Sequence, residues 1–202
     1  MENPTYISAY RCFAKLGYAM CTISMDEAGM RPAELEKSGA DLAYIMPSHQ
    51  FPMGMVMPMK RRMQLLAWAS RENGRYLIED DYDSEFRYKG RPIPALQGND
   101  TEGKVIYLGT FSRAIAPSIR ISYMVLPETL LPAYEENGRC FSATVSKTDQ
   151  KILEEFMRSG AFERHLNRMR AVYKGKHDAL LAGLRELEDR FEIRGEYAGL
   201  HV

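Results

Sequence analysis

Hydrophobic positions change their period several times along the chain, and each change marks an element. Leu42-Ala43-Tyr44-Ile45-Met46 is a short apolar run closed by Pro47, which predicts a strand. Over 58–73, Met59, Met63, Leu66 and Ser70 recur at three- or four-residue spacing, with Leu65 and Ala69 beside them. This predicts an amphipathic helix with Pro58 at its first position and Gly74 as its stop. Tyr76-Leu77-Ile78 reads as a second strand running into an acidic turn, Glu79-Asp80-Asp81. Residues 105–108 and 119–126 supply two more strands. Strand, helix, strand order implies right-handed crossovers and a mainly parallel sheet with flanking helices. Ligands bind such sheets at the carboxyl ends of the strands, where the acidic turn and the segment 110–120 fall.

Residues 7–16 predict a helix with no strand ahead of it. Past Pro127 the character changes: 150–157 predicts a short helix, and Gly160 breaks it. A long amphipathic helix then carries Phe162, Leu166, Met169, Tyr173, Leu180, Leu184 and Leu187. The chain stops at Gly199-Leu200-His201-Val202, inside an expected strand. The reading is α/β. Residues 1–127 form part of a large domain; 128–202 form a connecting helix and the start of a small α/β C-terminal domain. Both ends read as cut, so a piece of a longer protein is expected.

Composition narrows the class. At 202 residues the chain can hold one sizeable domain, or one and part of another. Lys and Arg balance Asp and Glu at 27 each, which gives no support to nucleic-acid binding by this stretch. Cys12, Cys21 and Cys140 form no CxxC pair and read as free thiols in a reducing cytoplasm. No apolar run approaches the roughly 20 residues of a membrane span, and the start lacks a signal-peptide pattern, so a cytoplasmic location is expected.

The candidate chemistry gathers in two places. Ile78-Glu79-Asp80-Asp81-Tyr82 ends one strand, and Tyr107-Leu108-Gly109-Thr110-Phe111-Ser112-Arg113 ends another, with Arg120 seven residues on. Alone, the acids read as a solvated turn and the Thr-x-Ser pair means little. His49 and His165 raise a metal, but no Cys or His cluster has ligand spacing. A polar loop role for His49 and a helix-surface role for His165 are expected, with no metal ligands. Lys60-Arg61-Arg62 reads as the solvated face of its helix.

Joint order and spacing say more. The segments above resemble the cofactor site of fold-type I pyridoxal-phosphate proteins, the class I/II aminotransferases. Pro47-Ser48-His49-Gln50-Phe51-Pro52-Met53-Gly54, Ile78 to Phe86 and Ile93-Pro94-Ala95-Leu96-Gln97 are similar to signatures of one branch, the MocR/GabR-type regulators of the GntR family. So is Phe162-x-x-His165-Leu166-x-x-Met169-Arg170-x-x-Tyr173. The resemblance covers essentially the whole chain. It implies that Asp80 keeps the pyridinium nitrogen of pyridoxal 5'-phosphate protonated. It implies that Tyr82 bonds the phenolic oxygen, and that Thr110, Ser112 and Arg120 grip the phosphate. Tyr6, in Asn3-Pro4-Thr5-Tyr6, falls at the position that stacks on the ring; a buried core tyrosine is the alternative.

One departure matters most. The family has a Schiff-base lysine where this chain has Arg113. A guanidinium stays protonated and has no lone pair for attack, so no catalytic residue is assigned and transamination is not expected. Lys104 and Lys89 do not replace the lysine by position. Arg113 is expected to contact the cofactor non-covalently. Phe51 stands where many aminotransferases place an asparagine.

Three functions compete. The resemblance implies the effector-sensing domain of a MocR/GabR-type transcription regulator. Such a domain binds a small amino compound, pairs as a homodimer, and reaches DNA only through an N-terminal winged helix-turn-helix domain that this chain lacks. The second is a genuine aminotransferase fragment; the third is an inactive remnant.

Overall fold

The computed structural model describes residues 1–88, 94–138 and 141–201. Cys140, Lys89, Ile93 and Val202, each given a reading above, lie outside the described residues.

Elements follow in the order β1 (Glu2–Asn3), α1 (Ile7–Lys15), β2 (Ile23–Asp26), β3 (Gly29–Met30), α2 (Pro32–Lys37), β4 (Leu42–Ile45), α3 (Met59–Ser70), β5 (Tyr76–Asp81), β6 (Val105–Thr110), α4 (Phe111–Ala114), β7 (Ser122–Val125), α5 (Leu131–Gly138), α6 (Lys147–Arg158) and α7 (Ala161–Arg185). The main sheet has the order β4-β5-β6-β7, with β4, β5 and β6 parallel and β7 antiparallel. A small sheet, β1-β2-β3, is hydrogen-bonded separately, and its Ile23 and Met30 pack into the same core as α3.

Side-chain alternation divides β4, β5 and β6 into two packed faces, as expected of a covered parallel sheet, while every residue of β7 is exposed. Ala43, Ile45, Leu77 and Val105 join Leu65, Leu66, Trp68 and Ala69 of α3 in one core. Tyr44, Met46, Ile78, Ile106 and Leu108 face the other way, against Ala9, Tyr10 and Phe13 of α1. Parity therefore assigns the acids of β5. Asp80 shares the α1 side with Ile78, while Glu79 and Asp81 share the α3 side with Leu77.

Several expectations are corrected. The acids 79–81 belong to β5, not to a turn, because the parallel register runs on to Asp81 opposite Gly109. A strand does precede α1: Glu2 and Asn3 pair with Ile23 and Ser24. Pro58 is the N-cap of α3, extended at ψ 152°, not its first helical residue. The buried face of α3 is Arg62, Leu65, Leu66, Trp68 and Ala69, whereas Met59 and Met63 are exposed. The fourth strand is shorter than expected, and the short helix is longer. That helix, α6, starts at Lys147 because Ser146 Oγ accepts the Asp149 N–H at 3.0 Å. Gly160 separates α6 from α7 in the left-handed conformation, as its position suggested. In α7 the buried residues are Leu166, His177 and Leu181, while Leu180 is exposed; Leu187, expected in this helix, lies beyond its end and is exposed too. Residues 199–201 form no strand; Ala198 makes an isolated antiparallel bridge to Arg87.

Candidate functional site

The carboxyl ends of β5 and β6 open into a cavity of about 390 Å³. Its lining comprises Tyr6, Met46, Phe51, Asp80, Tyr82, Thr110, Ser112, Arg113, Arg120 and Ser122. All seven residues singled out from the sequence are therefore brought together. They arrive from the loop before α1, from β5 and its end, and from the β6–α4–β7 connection.

Each side chain has a structural reason for its place. Tyr44 of β4 donates its hydroxyl to Asp80 Oδ2 from the neighbouring strand. Burial raises the pKa of Asp80, and the Tyr44 hydrogen bond acts against that rise. A buried carboxylate of this kind gains from a cation set against it, and a protonated ring nitrogen is one. Burial also raises the pKa of the Tyr82 phenol, reinforced by Asp83 and Asp80, while Arg113 opposes the rise. Tyr82 therefore keeps its proton and can donate it to an oxygen.

The β6–α4–β7 connection brings in the cations. Thr110 caps α4, its Oγ1 accepting the Ser112 N–H at 3.2 Å and donating to the Ile121 carbonyl at 3.2 Å. Its O–H donates to that carbonyl in this structure and would have to rotate to reach a phosphate in the cavity. Ser112 and the two arginines are further donors at the cavity. Arg120 holds φ at +50°, the only described non-glycine residue with positive φ. Such a backbone costs about 1–3 kcal/mol and is found where structure places a side chain for a task. Arg113 and Arg120 are both exposed on the cavity side.

Among the described residues, no lysine lines the cavity. Lys104 is buried elsewhere, donating to the Glu72 carbonyl at 3.1 Å and lying over the Tyr76 ring. The lining has the chemistry pyridoxal phosphate calls for: an acid that could face a ring nitrogen, a phenol that could meet a ring oxygen, and cations suited to a phosphate. Tyr6 meets the Phe51 ring edge-on at 6.0 Å and is 44% exposed, which excludes the buried-core alternative for it.

Sequence reasoning missed Met46 and Ser122, which carry no motif and line the cavity only through strand parity. It also misjudged several charged groups. Arg62, expected on a solvated face, is fully buried and donates to the carbonyls of Met57, Pro94 and Pro47. Arg61 grips Asp26 through Nη1 and Nη2 at 3.0 and 2.9 Å. His49 does hold a polar place in the loop after β4, but it is buried there against Asp83 Oδ2 at 2.9 Å. His165 is partly buried and its Nε2 bonds the Ala114 carbonyl at 3.1 Å, tying α7 to α4.

The fold and this cavity define the class: a fold-type I pyridoxal-phosphate transferase-like α/β protein, of the aminotransferase kind. The kynurenine aminotransferase of Pyrococcus horikoshii, solved with PMP, superposes with a TM-score of 0.83 at 32% identity, covering 92% of this chain and 48% of that one. The sequence itself groups with the aminotransferase-like region of MocR/PdxR-type transcriptional regulators along its whole length. It is 44% identical over 202 residues to the uncharacterised HTH-type transcriptional regulator YhdI of Bacillus subtilis, 100% of this chain and 43% of the relative. It is 34% identical over 203 residues to the probable rhizopine catabolism regulatory protein MocR of Rhizobium meliloti, 100% of this chain and 41% of the relative. The chain thus spans less than half the length of these relatives. No protein-family model matches it. No helix among the described residues is long and apolar enough to cross a membrane.

Proposed function

We propose that this chain is the effector-sensing domain of a MocR/GabR-type regulator, that it binds pyridoxal 5'-phosphate without a covalent bond, and that it does not transaminate. The observation that carries this reading is that Arg113, and no lysine among the described residues, lines the cavity; the resemblance implies a lysine at that position. Bound there, the cofactor would supply an electrophilic carbonyl and an electron-poor ring. The chain's own residues would hold it: Asp80 against the ring nitrogen, Tyr82 at the ring oxygen, Ser112, Arg113 and Arg120 around the phosphate, and Tyr6 across the ring face. The relation to HTH-type regulators supports a role in which a small amino compound at this cavity alters DNA binding by a separate N-terminal domain. In that setting the protein acts as a cytoplasmic homodimer, and this chain itself does not touch DNA.

A second reading, a genuine aminotransferase, draws on the 32% identity to the Pyrococcus enzyme. The two separate on one titration. Pyridoxal phosphate is added to this chain and to Arg113→Lys, and visible absorbance is recorded before and after borohydride. A reducible band in the variant alone supports the regulator-type pocket silenced by Arg113. A reducible band in the unaltered chain overturns the non-covalent reading, and no binding by either overturns the cofactor assignment.

A further inference from the structure

Beside the cofactor cavity, His49 and Asp83, each 1% exposed, meet the turn that carries His201. Asp83 Oδ2 pairs with His49 Nδ1 at 2.9 Å and accepts the Leu200 N–H at 3.0 Å. The His201 ring lies with its centroid 4.1 Å from that of His49, tilted by 35°. Three polar atoms around this junction are removed from water and make no hydrogen bond: His49 Nε2, Asp83 Oδ1 and His201 Nε2. Leaving each buried donor or acceptor unpaired is unfavourable, so each of these three side chains has a polar atom in want of a partner.

One nitrogen of each imidazole and one oxygen of Asp83 lie within 4.8 Å of one another. We propose that His49, Asp83 and His201 bind a divalent transition-metal cation of the zinc class. Two imidazoles and a carboxylate form a mixed nitrogen and oxygen set that suits zinc better than calcium or magnesium, which take oxygen ligands. Metal–ligand bonds of roughly 2.0–2.2 Å place tetrahedral donors a little over 3 Å apart, so the three groups need only small adjustments to share one ion. Gly199 makes the approach possible. At φ +78°, a Cβ there would strike the His49 ring and come within 2.6 Å of Asp83 Oδ2. The backbone can therefore cross the pair closely enough to set His201 beside it. Tyr82 gives the site a link to the cavity, its hydroxyl lying 3.3 Å from His49 Nδ1. A bound ion would pin the 199–201 turn to the end of β5, directly behind a cavity wall. The proposal stands independently of the cofactor assignment.

The test uses the untagged, chelator-stripped chain without pyridoxal phosphate, equilibrated with Zn²⁺ and assayed by elemental analysis, and with Co²⁺ as a visible-absorbance probe. One Zn²⁺ per chain is expected, with a Co²⁺ band of the four-coordinate type. His49→Gln and His201→Gln should each weaken binding at least tenfold while retaining the far-ultraviolet circular dichroism of the parent. His165→Gln and the double variant Cys12→Ser/Cys21→Ser should bind as the parent does. Substoichiometric metal overturns the proposal. So does undiminished affinity in folded His201→Gln, or loss of binding in the cysteine variant, which would mark adventitious ligation by exposed thiols.

Discussion

Arg62 and Glu79 face each other at 4.0 Å with both side chains wholly buried, and each is held more firmly by backbone than by its partner. The arginine donates to three carbonyls, and the glutamate accepts the Leu96 and Gln97 N–H groups at 2.8 Å each. Together they clasp the 47–57 loop and the 94–97 segment to the back of β5. Burial lowers the pKa of Arg62 and raises that of Glu79, so neither charge is comfortable without its contacts. Arg62→Ala strands three carbonyls and a buried carboxylate, and is expected to destabilise the fold by about 3–5 kcal/mol. Arg62→Lys, with one ammonium in place of the fork, should recover only part of that. Urea denaturation of the three proteins measures both; a loss below about 1 kcal/mol in Arg62→Ala would show that the clasp is dispensable.

Glu2 gives a pH dependence with a definite sign. Burial pushes its carboxyl up to about 7, above its ordinary value of 4.5. A raised folded pKa means that the fold favours the protonated acid. The associated stability is fully present below about pH 4.5 and is lost as the pH rises through 7. Glu2→Gln removes this titration while keeping the shape. Melting curves should show the variant more stable than the parent at pH 8, by up to about 3 kcal/mol, and indistinguishable from it near pH 4.5. Equal differences at both pH values would remove Glu2 as the titrating group.

Gly54 and Gly195 touch backbone to backbone. A Cβ on Gly54 would lie 2.5 Å from Gly195 Cα, and φ at Gly54 is +69°. Both the space and the conformation exclude a side chain. Gly54→Ala is expected to cost about 2 kcal/mol or more, read as a lower urea midpoint. An unchanged midpoint would mean that the 193–196 segment moves aside freely.

Arg120 should show a trade between stability and binding. Arg120→Gly relaxes the positive φ and is expected to stabilise the chain by about 1 kcal/mol. It also removes a cation from the cavity, so the affinity for pyridoxal phosphate should fall roughly tenfold, the equivalent of one charge-assisted hydrogen bond. Thermal melting and a cofactor titration on the same samples check both halves. A stabilised variant with unaltered affinity would take Arg120 out of the phosphate's reach.

Much of this was legible in the sequence because strand ends and turn residues obey local rules. The runs at 42–46 and 105–108 lie within or overlap observed strands, and Gly160 punctuates two helices as its type suggests. The seven cavity residues were found through ordered motifs, which encode position along the chain. Burial of charge was less legible. Nothing in Lys60-Arg61-Arg62 distinguishes the outward residue from the buried one, because that depends on three carbonyls supplied by 47, 57 and 94. His49 and His201 likewise become neighbours only through folding, and Thr110 directs its hydroxyl to a carbonyl eleven residues away. The end of β5 was cut short because acids read as loop, although Tyr44 and the Leu96 and Gln97 amides hold two of them inside.

The two-sided strand β5 has a consequence for how this sequence can change. A substitution at Asp80 or Glu79 alters one face and leaves the other intact. Inserting or deleting a single residue between Leu77 and Asp80 would instead exchange the faces at a stroke. Asp80 would turn beneath α3, and an acid evolved for the clasp would be thrust into the cavity. Drift in this region is therefore confined to replacement: length is the forbidden variable, and the chemistry at each place is the permitted one.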